Sequence, residues 1–282
     1  MNIIDSHLHL WDLEAGEYAW LGPQYCELFR SFTPEMARHE LASAGIAAAV
    51  LVQAEDSTRD TEHLLDVADR FGFVAGVIGW VRLDDPSQAA AQLDRLGQHP
   101  AFCGVRHLVH DDPRDEFLEL PTVRRSLALL AERGVPFDVP DAWPRHLPGV
   151  SALAADLPAL TVVVDHLGKP PRGRDDFDAW AEALREVARH PNTVAKVSGL
   201  QAQGQPLTAE ALRPVWEIAV EAFGPARLMY GGDWPMTVPC GGYQPTWQVL
   251  SGLVGELSAD EQALVLFETA RSVYGLELPN SG

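Results

Sequence analysis

The chain has 282 residues, 46% of them hydrophobic and 22% charged, which suits a globular protein with a large core and matches the length of an α/β barrel of about 250 residues. A formal net charge of −19 argues against nucleic acid or anionic membrane as a partner, because phosphate recognition needs clustered Lys and Arg. Cys26, Cys103 and Cys240 form no CxxC cluster, and neither a bilayer-length apolar run nor a signal segment is present, so a cytoplasmic protein without disulfides is expected.

The opening stretch, Ile3-Ile4-Asp5-Ser6-His7-Leu8-His9-Leu10, reads as a strand. Side chains alternate along a strand, so His7 and His9 share a side at its C-terminal end. Residues 11–32 carry Trp11, Tyr18, Trp20, Tyr25, Phe29 and Phe32 and are broken by Gly22-Pro23; a stretch this long and irregular is a binding loop, a lid or an aromatic cap on the core. Thr33-Pro34 gives an N-cap followed by proline, and that helix runs out at Gly45. The apolar run 47–53 lacks alternation, as a parallel strand buried on both faces requires.

The same unit then recurs. Helices around 59–70, 86–97 and 121–133 feed strands at 73–81, 102–109 and 136–139; helices around 144–156, 175–190 and 208–223 feed strands at 160–166, 193–200 and 227–233. Helices around 245–256 and 259–274 close the chain, with Ser258 and Glu261 as a capping box and Gly275 at the stop. With no linker and no second composition regime, residues 1–282 read as a single domain of the α/β class, a (β/α)8 TIM barrel with an extra C-terminal helix.

Barrels of this kind carry their chemistry where the strands end. Those ends hold His7 and His9, Gln53, Trp80, Arg106 and His107, Asp165 and His166, Lys196 and Ser198, and Asp233 and Trp234. Each has a structural alternative. Asp233 could cap a turn, although the neighbouring Gly231 and Gly232 allow close approach to a ligand; His166 could be a core histidine and Lys196 the partner of a carboxylate. Arg106 and His107 are adjacent and face opposite ways, so one enters the pocket and the other supports it. Asp165 reads as a supporting residue, and His110, Asp111 and Asp112 as a solvated loop.

The segments Asp-Ser-His-Leu-His-Leu-Trp at 5–11, Gly-Trp-Val at 79–81, Gly-Val-Arg-His at 104–107, Asp-His-Leu-Gly-Lys-Pro at 165–170, Lys-Val-Ser-Gly-Leu at 196–200 and Gly-Gly-Asp-Trp-Pro at 231–235 together resemble the amidohydrolase superfamily. Within it they are similar to the amidohydrolase-2-type branch that includes sugar lactonases such as L-fuconolactonase and L-rhamnonolactonase, and 2-pyrone-4,6-dicarboxylate lactonase. The resemblance implies a hydrolase that opens a small lactone, a sugar aldonolactone such as L-fuconolactone, through water activated by Asp233. His7, His9 and His166 would complete the catalytic set, with Arg106, His107, Gln53, Trp80, Ser198 and Trp234 contacting substrate.

One departure matters. Binuclear members carry Lys or Glu on strand four and His on strand five, whereas here strand five reads Pro136-Phe137-Asp138-Val139-Pro140, so a two-metal centre is not expected. Two routes stay open. A single divalent metal, zinc, held by His7, His9, His166 and Asp233 would acidify a bound water; metal-independent catalysis with Asp233 as base and imidazole donors is also chemically sufficient for a lactone. The alternative enzyme is a metal-dependent decarboxylase of an aromatic acid, and the alternative class a binding protein on an inactive barrel. Which lactone is opened, and whether the chain forms a homo-oligomer, are left open.

Overall fold

Eight parallel strands follow one another around the sheet in strict chain order: β1 (Ile4–Leu8), β2 (Ala48–Val52), β3 (Val74–Gly79), β4 (Phe102–Arg106), β5 (Phe137–Val139), β6 (Val162–Val164), β7 (Thr193–Val197) and β8 (Leu228–Tyr230). This computed structural model describes residues 2–277; the outermost positions of the expected 1–282 domain lie outside the described residues. Between the strands run α1 (Pro34–Ala44), α2 (Thr58–Arg70), α3 (Pro86–Leu96), α4 (Pro121–Glu132), α5 (Leu147–Asp156), α6 (Phe177–Ala188) and α7 (Ala209–Phe223). The architecture is a (β/α)8 barrel.

The strands are buried on both faces, as in β2 (AAVLV) and β6 (VVV), which explains their unalternating sequences. An interior cluster of Ile4, Val50, Val52, Ile78, Val163, Val194 and Met229 is closed below by Ala270, Tyr274 and Leu276 from the C-terminus. That terminal segment plugs the barrel. It runs as α9 (Ala259–Ala263), a π turn (Leu264–Glu268) and α10 (Thr269–Val273) behind the expected Ser258/Glu261 capping box, rather than as one uniform helix. α8 (Tyr243–Val254) precedes it. Among the described residues no helix is long and apolar enough to cross a membrane.

Several strands are shorter than their sequence signal. The ladder of β8 stops at Tyr230, and the ring closes through the segment after it: Leu8 bridges Trp234, Asp233 N–H donates to His7 O at 2.7 Å and His9 N–H to Trp234 O at 2.7 Å. Closure and the candidate site are therefore the same piece of backbone.

Candidate active site

Ile4 and His7, an odd spacing apart, both face the barrel interior, which regular alternation forbids. A register shift between Asp5 and Leu8 re-aims the strand, the usual effect of a bulge beside a site. Asp5 locks that shape: Oδ1 accepts from His7 N–H at 2.9 Å and Gly232 N–H at 2.8 Å, and Oδ2 from the Tyr243 hydroxyl at 2.7 Å. Side chains would not fit in the facing turn, since a Cβ on Gly231 would stand 2.7 Å from His7 Cβ and one on Gly232 2.5 Å from Asp5 Oδ2.

Four side chains converge above this turn. His9 Nδ1 donates to Val52 O at 2.8 Å; a carbonyl can only accept, so the Nε2 lone pair faces His7 Nε2 at 3.1 Å. His166 leaves β6 with a left-handed φ of 56° and meets Ser198 Oγ through Nδ1 at 2.8 Å. Gly199, itself at φ 57°, lets that ring lie flush; a Cβ there would come 2.3 Å from His166 Nδ1. Asp233, also left-handed at φ 51°, accepts from Gln201 Nε2 at 2.9 Å through Oδ2. Its Oδ1 lies 3.7 Å from His9 Nε2 and 3.9 Å from Nε2 of both His7 and His166. Two non-glycine residues, His166 and Asp233, held at positive φ at one spot are the kind of strain that collects at functional sites.

Two buried carboxylates here have opposite character. Burial would raise Asp165, but Lys196 Nζ at 3.1 Å, His7 Nδ1 at 3.4 Å and Arg106 Nη1 at 3.5 Å hold it well below the usual carboxylate range. Burial pushes Asp233 up to about 7, with Lys169, Gln201 and Arg106 offsetting only part of that. Burial also drives His7 down to about 3 despite Asp165, and holds His9 and His166 well below the ordinary histidine value. At neutral pH the three imidazoles are uncharged. Lys196 spans the barrel interior, donating to Asp138 Oδ2 at 2.6 Å, and Asp138 in turn accepts from Tyr274 of the C-terminal plug at 2.9 Å.

A cavity of about 270 Å³ opens over this floor and is lined by His9, Arg106, His166 and Asp233 below and by Trp11, Trp20, Tyr25, His110, Asp111, Asp141, Lys169 and Met236 around the mouth. Arg106 is the member of the Arg-His pair that enters. Its Nη2 donates to Gln53 O at 2.7 Å, and its Nε has no hydrogen-bond partner in the protein. His107 faces away, stacked on Phe117 with ring centroids 4.1 Å apart, and accepts from Trp80 Nε1 at 3.1 Å. Gln53 donates to Asp56 at 2.9 Å, Ser198 braces His166, and Trp234 packs edge-on against Phe32. Gln53, Trp80, Ser198 and Trp234 are not among the residues that line this cavity, His107 lines an adjoining cleft with Trp20, Tyr25 and Asp111, and His7 lies under the floor. Asp141, Lys169 and Met236, not among the expected site residues, line the mouth, as do His110 and Asp111, expected in a solvated loop. Asp141 stands just past β5, so the strand-end rule would have found it.

The residue types also suit a cation: one ligand atom each from His7, His166 and Asp233 lie within 4.8 Å of one another, an N/O donor set that zinc accepts.

The sequence pattern of the family described as Amidohydrolase matches residues 4–276. The chain belongs to the amidohydrolase family. This amidohydrolase is 35% identical to the L-fucono-1,5-lactonase of Burkholderia ambifaria over 83% of its own length and 80% of that protein's. It is 32% identical to the L-fucono-1,5-lactonase of Burkholderia multivorans over 98% and 97%. An amidohydrolase from Burkholderia multivorans, solved with bound zinc, superposes with a TM-score of 0.88 at 30% identity, covering 98% of this chain and all of the other. The 5-carboxyvanillate decarboxylase of Sphingomonas paucimobilis, 14% identical with a TM-score of 0.67 over 98% of this chain and 99% of its own, shares the fold alone.

Proposed function

We propose that this amidohydrolase is a lactonase that hydrolyses a small sugar aldonolactone of the L-fucono-1,5-lactone kind. The observation that carries the reading is Asp233 Oδ1, 3.7–3.9 Å from three imidazole Nε2 atoms on the floor of a cavity that also admits Arg106. The two named relatives point the same way.

Asp233, with its pKa pushed up to about 7 by burial, has the basicity to take a proton from an attacking water near neutral pH. Gln201 holds the other carboxylate oxygen, so Oδ1 keeps its aim. As the water oxygen bonds to the lactone carbonyl carbon, charge builds on the carbonyl oxygen. Arg106, whose side chain lines the cavity, is a donor suited to that charge. Collapse breaks the acyl–oxygen bond, and the ring oxygen leaves with the proton carried by Asp233, giving a hydroxy acid and restoring the carboxylate.

His7, His9, His166 and Asp233 would also hold a single divalent metal, zinc by donor type; bound there it supplies Lewis-acid polarisation and an acidified water. A lactone loses an alkoxide more readily than an amide loses an amine, so the protein groups alone meet the chemical need. The partner proposed is a small-molecule lactone rather than nucleic acid or membrane, and the barrel is proposed to act as one cytoplasmic domain.

A pH-indicator screen of aldonolactones and muconolactones, run on chelator-treated and zinc-supplemented protein, tests the reading. Acid release from a sugar lactone is expected. Carbon dioxide from aromatic acids, with no lactone opened, would replace it with a decarboxylase; tight binding without turnover would replace it with a binding protein.

A further inference from the structure

Above the reaction floor the cavity wall is divided. The arc that follows β4, β5 and β6 brings His110, Asp111, Asp141 and Lys169, whereas the arc that follows β8 and β1 brings Met236, Trp11, Trp20 and Tyr25. Barrel order sets these arcs on opposite sides. On the polar arc, the Asp141 and His110 side chains are 30% and 33% exposed, and each also keeps one buried polar atom, Oδ1 and Nδ1 respectively, with no hydrogen-bond partner in the protein. Such atoms are costly unless something else bonds to them. Lys169 Nζ stays 3.8 Å from Asp141 Oδ1, too far for a hydrogen bond, and donates instead to Gly199 O at 3.0 Å. Asp141 is itself held at a left-handed φ of 43°, which aims its carboxylate at some conformational cost.

A neutral ring with hydroxyls on one edge and C–H groups on its face matches such a wall. A carboxylate oxygen accepts from a hydroxyl, an imidazole nitrogen accepts from or donates to one, and aromatic rings cover the C–H face. We propose that Asp141 and His110 read the hydroxyl groups of a polyhydroxylated lactone, with Trp20 and Tyr25 packed against its apolar face. These residues select the substrate and do not touch the reacting bond. The proposal rests on the lactonase reading and adds which residues make the hydroxyls count.

The test compares kcat/KM for a polyhydroxylated 1,5-lactone and for the unsubstituted six-membered lactone. A site built to bond a hydroxyl discriminates strongly against a ring that lacks it. Asp141→Ala is expected to reduce the preference for the polyhydroxylated ring by about 30-fold, and Asp141→Asn, which keeps one acceptor oxygen, by less. Equal losses on both lactones, or none, would overturn the proposal. Should Asp141→Ala fail to fold, the near-isosteric Asp141→Asn carries the same comparison. If neither lactone is opened even by wild type, the lactonase reading fails on its own. Quenching of Trp11 and Trp20 fluorescence by the polyhydroxylated lactone then decides: binding weakened about tenfold in the variant supports hydroxyl recognition, and unchanged binding refutes it.

Discussion

The floor of the cavity and its mouth are built by different rules. On the floor, Asp233, His166 and His9 are 2–5% exposed, and each has its far polar atom pinned, by Gln201, Ser198 and the Val52 carbonyl respectively. In the mouth, the His110, Asp111, Asp141 and Lys169 side chains are 30–51% exposed and their ion pairs stretch to 3.8 Å. On the proposed reading, positions are over-determined where bonds rearrange and loosely held where a substrate is chosen. That is what a catalytic centre on strand ends and a specificity surface on loops require.

The comparison breaks most sharply if the floor tolerates change. Asp233→Asn should lower kcat/KM by about 10³-fold or more, with or without zinc, since no other pinned carboxylate faces the cavity floor among the described residues. The same variant carries a stability signature. Burial raises the Asp233 pKa from 3.8 to about 7, so the folded chain keeps a proton that the unfolded chain has already released. That contribution to stability is present at low pH and lost as pH rises through 7. Chelator-treated Asp233→Asn should therefore melt above wild type at pH 8 and lose that advantage near pH 4.

Next in size is the support beneath the floor. Lys196 is fully buried between Asp138 and Asp165, and Lys196→Met strands both carboxylates; chemical denaturation should show a loss of about 3–5 kcal/mol. A smaller effect is expected from Gly199→Ala, whose Cβ would collide with His166 in a backbone region that alanine disfavours. It should cost about 10²-fold in kcat, and a change of less than twofold would mean that the His166 ring need not be fixed. The mouth should respond most weakly: Tyr25→Ser, at a side chain 39% exposed, is expected to raise KM several-fold and leave kcat nearly unchanged.

The same division governs what could be read from the sequence. The barrel was legible because doubly buried strands and capped helices repeat along the chain. His7, His9, His166 and Asp233 were legible because strand ends concentrate polar residues in short motifs. The shift in β1 was not: nothing in Asp5-Ser6-His7 marks the extra residue that lets Ile4 and His7 face the same way. Of the expected substrate contacts, Gln53, Trp80, Ser198 and Trp234 do not line the cavity, because proximity to a strand end does not fix which way a side chain faces. His107 shows why, since one residue of register separates it from Arg106 and sends it against Phe117. Of the mouth residues, Lys169 and Met236 were hidden because loop direction is set by tertiary packing. Asp141 and Lys169 come together only through two left-handed turns, where the residues at those positions are not glycines.

The pH dependence of kcat/KM, measured on chelator-treated protein with a sugar lactone, tests the central claim most directly. If the Asp233 carboxylate is the base, activity should rise about tenfold per pH unit on the acid side and level off above an apparent pKa near 7, where burial sets that group. A profile flat from pH 5 to 8 would contradict the account, because the carboxylate ringed by three neutral imidazoles would then have no part in the step that limits turnover.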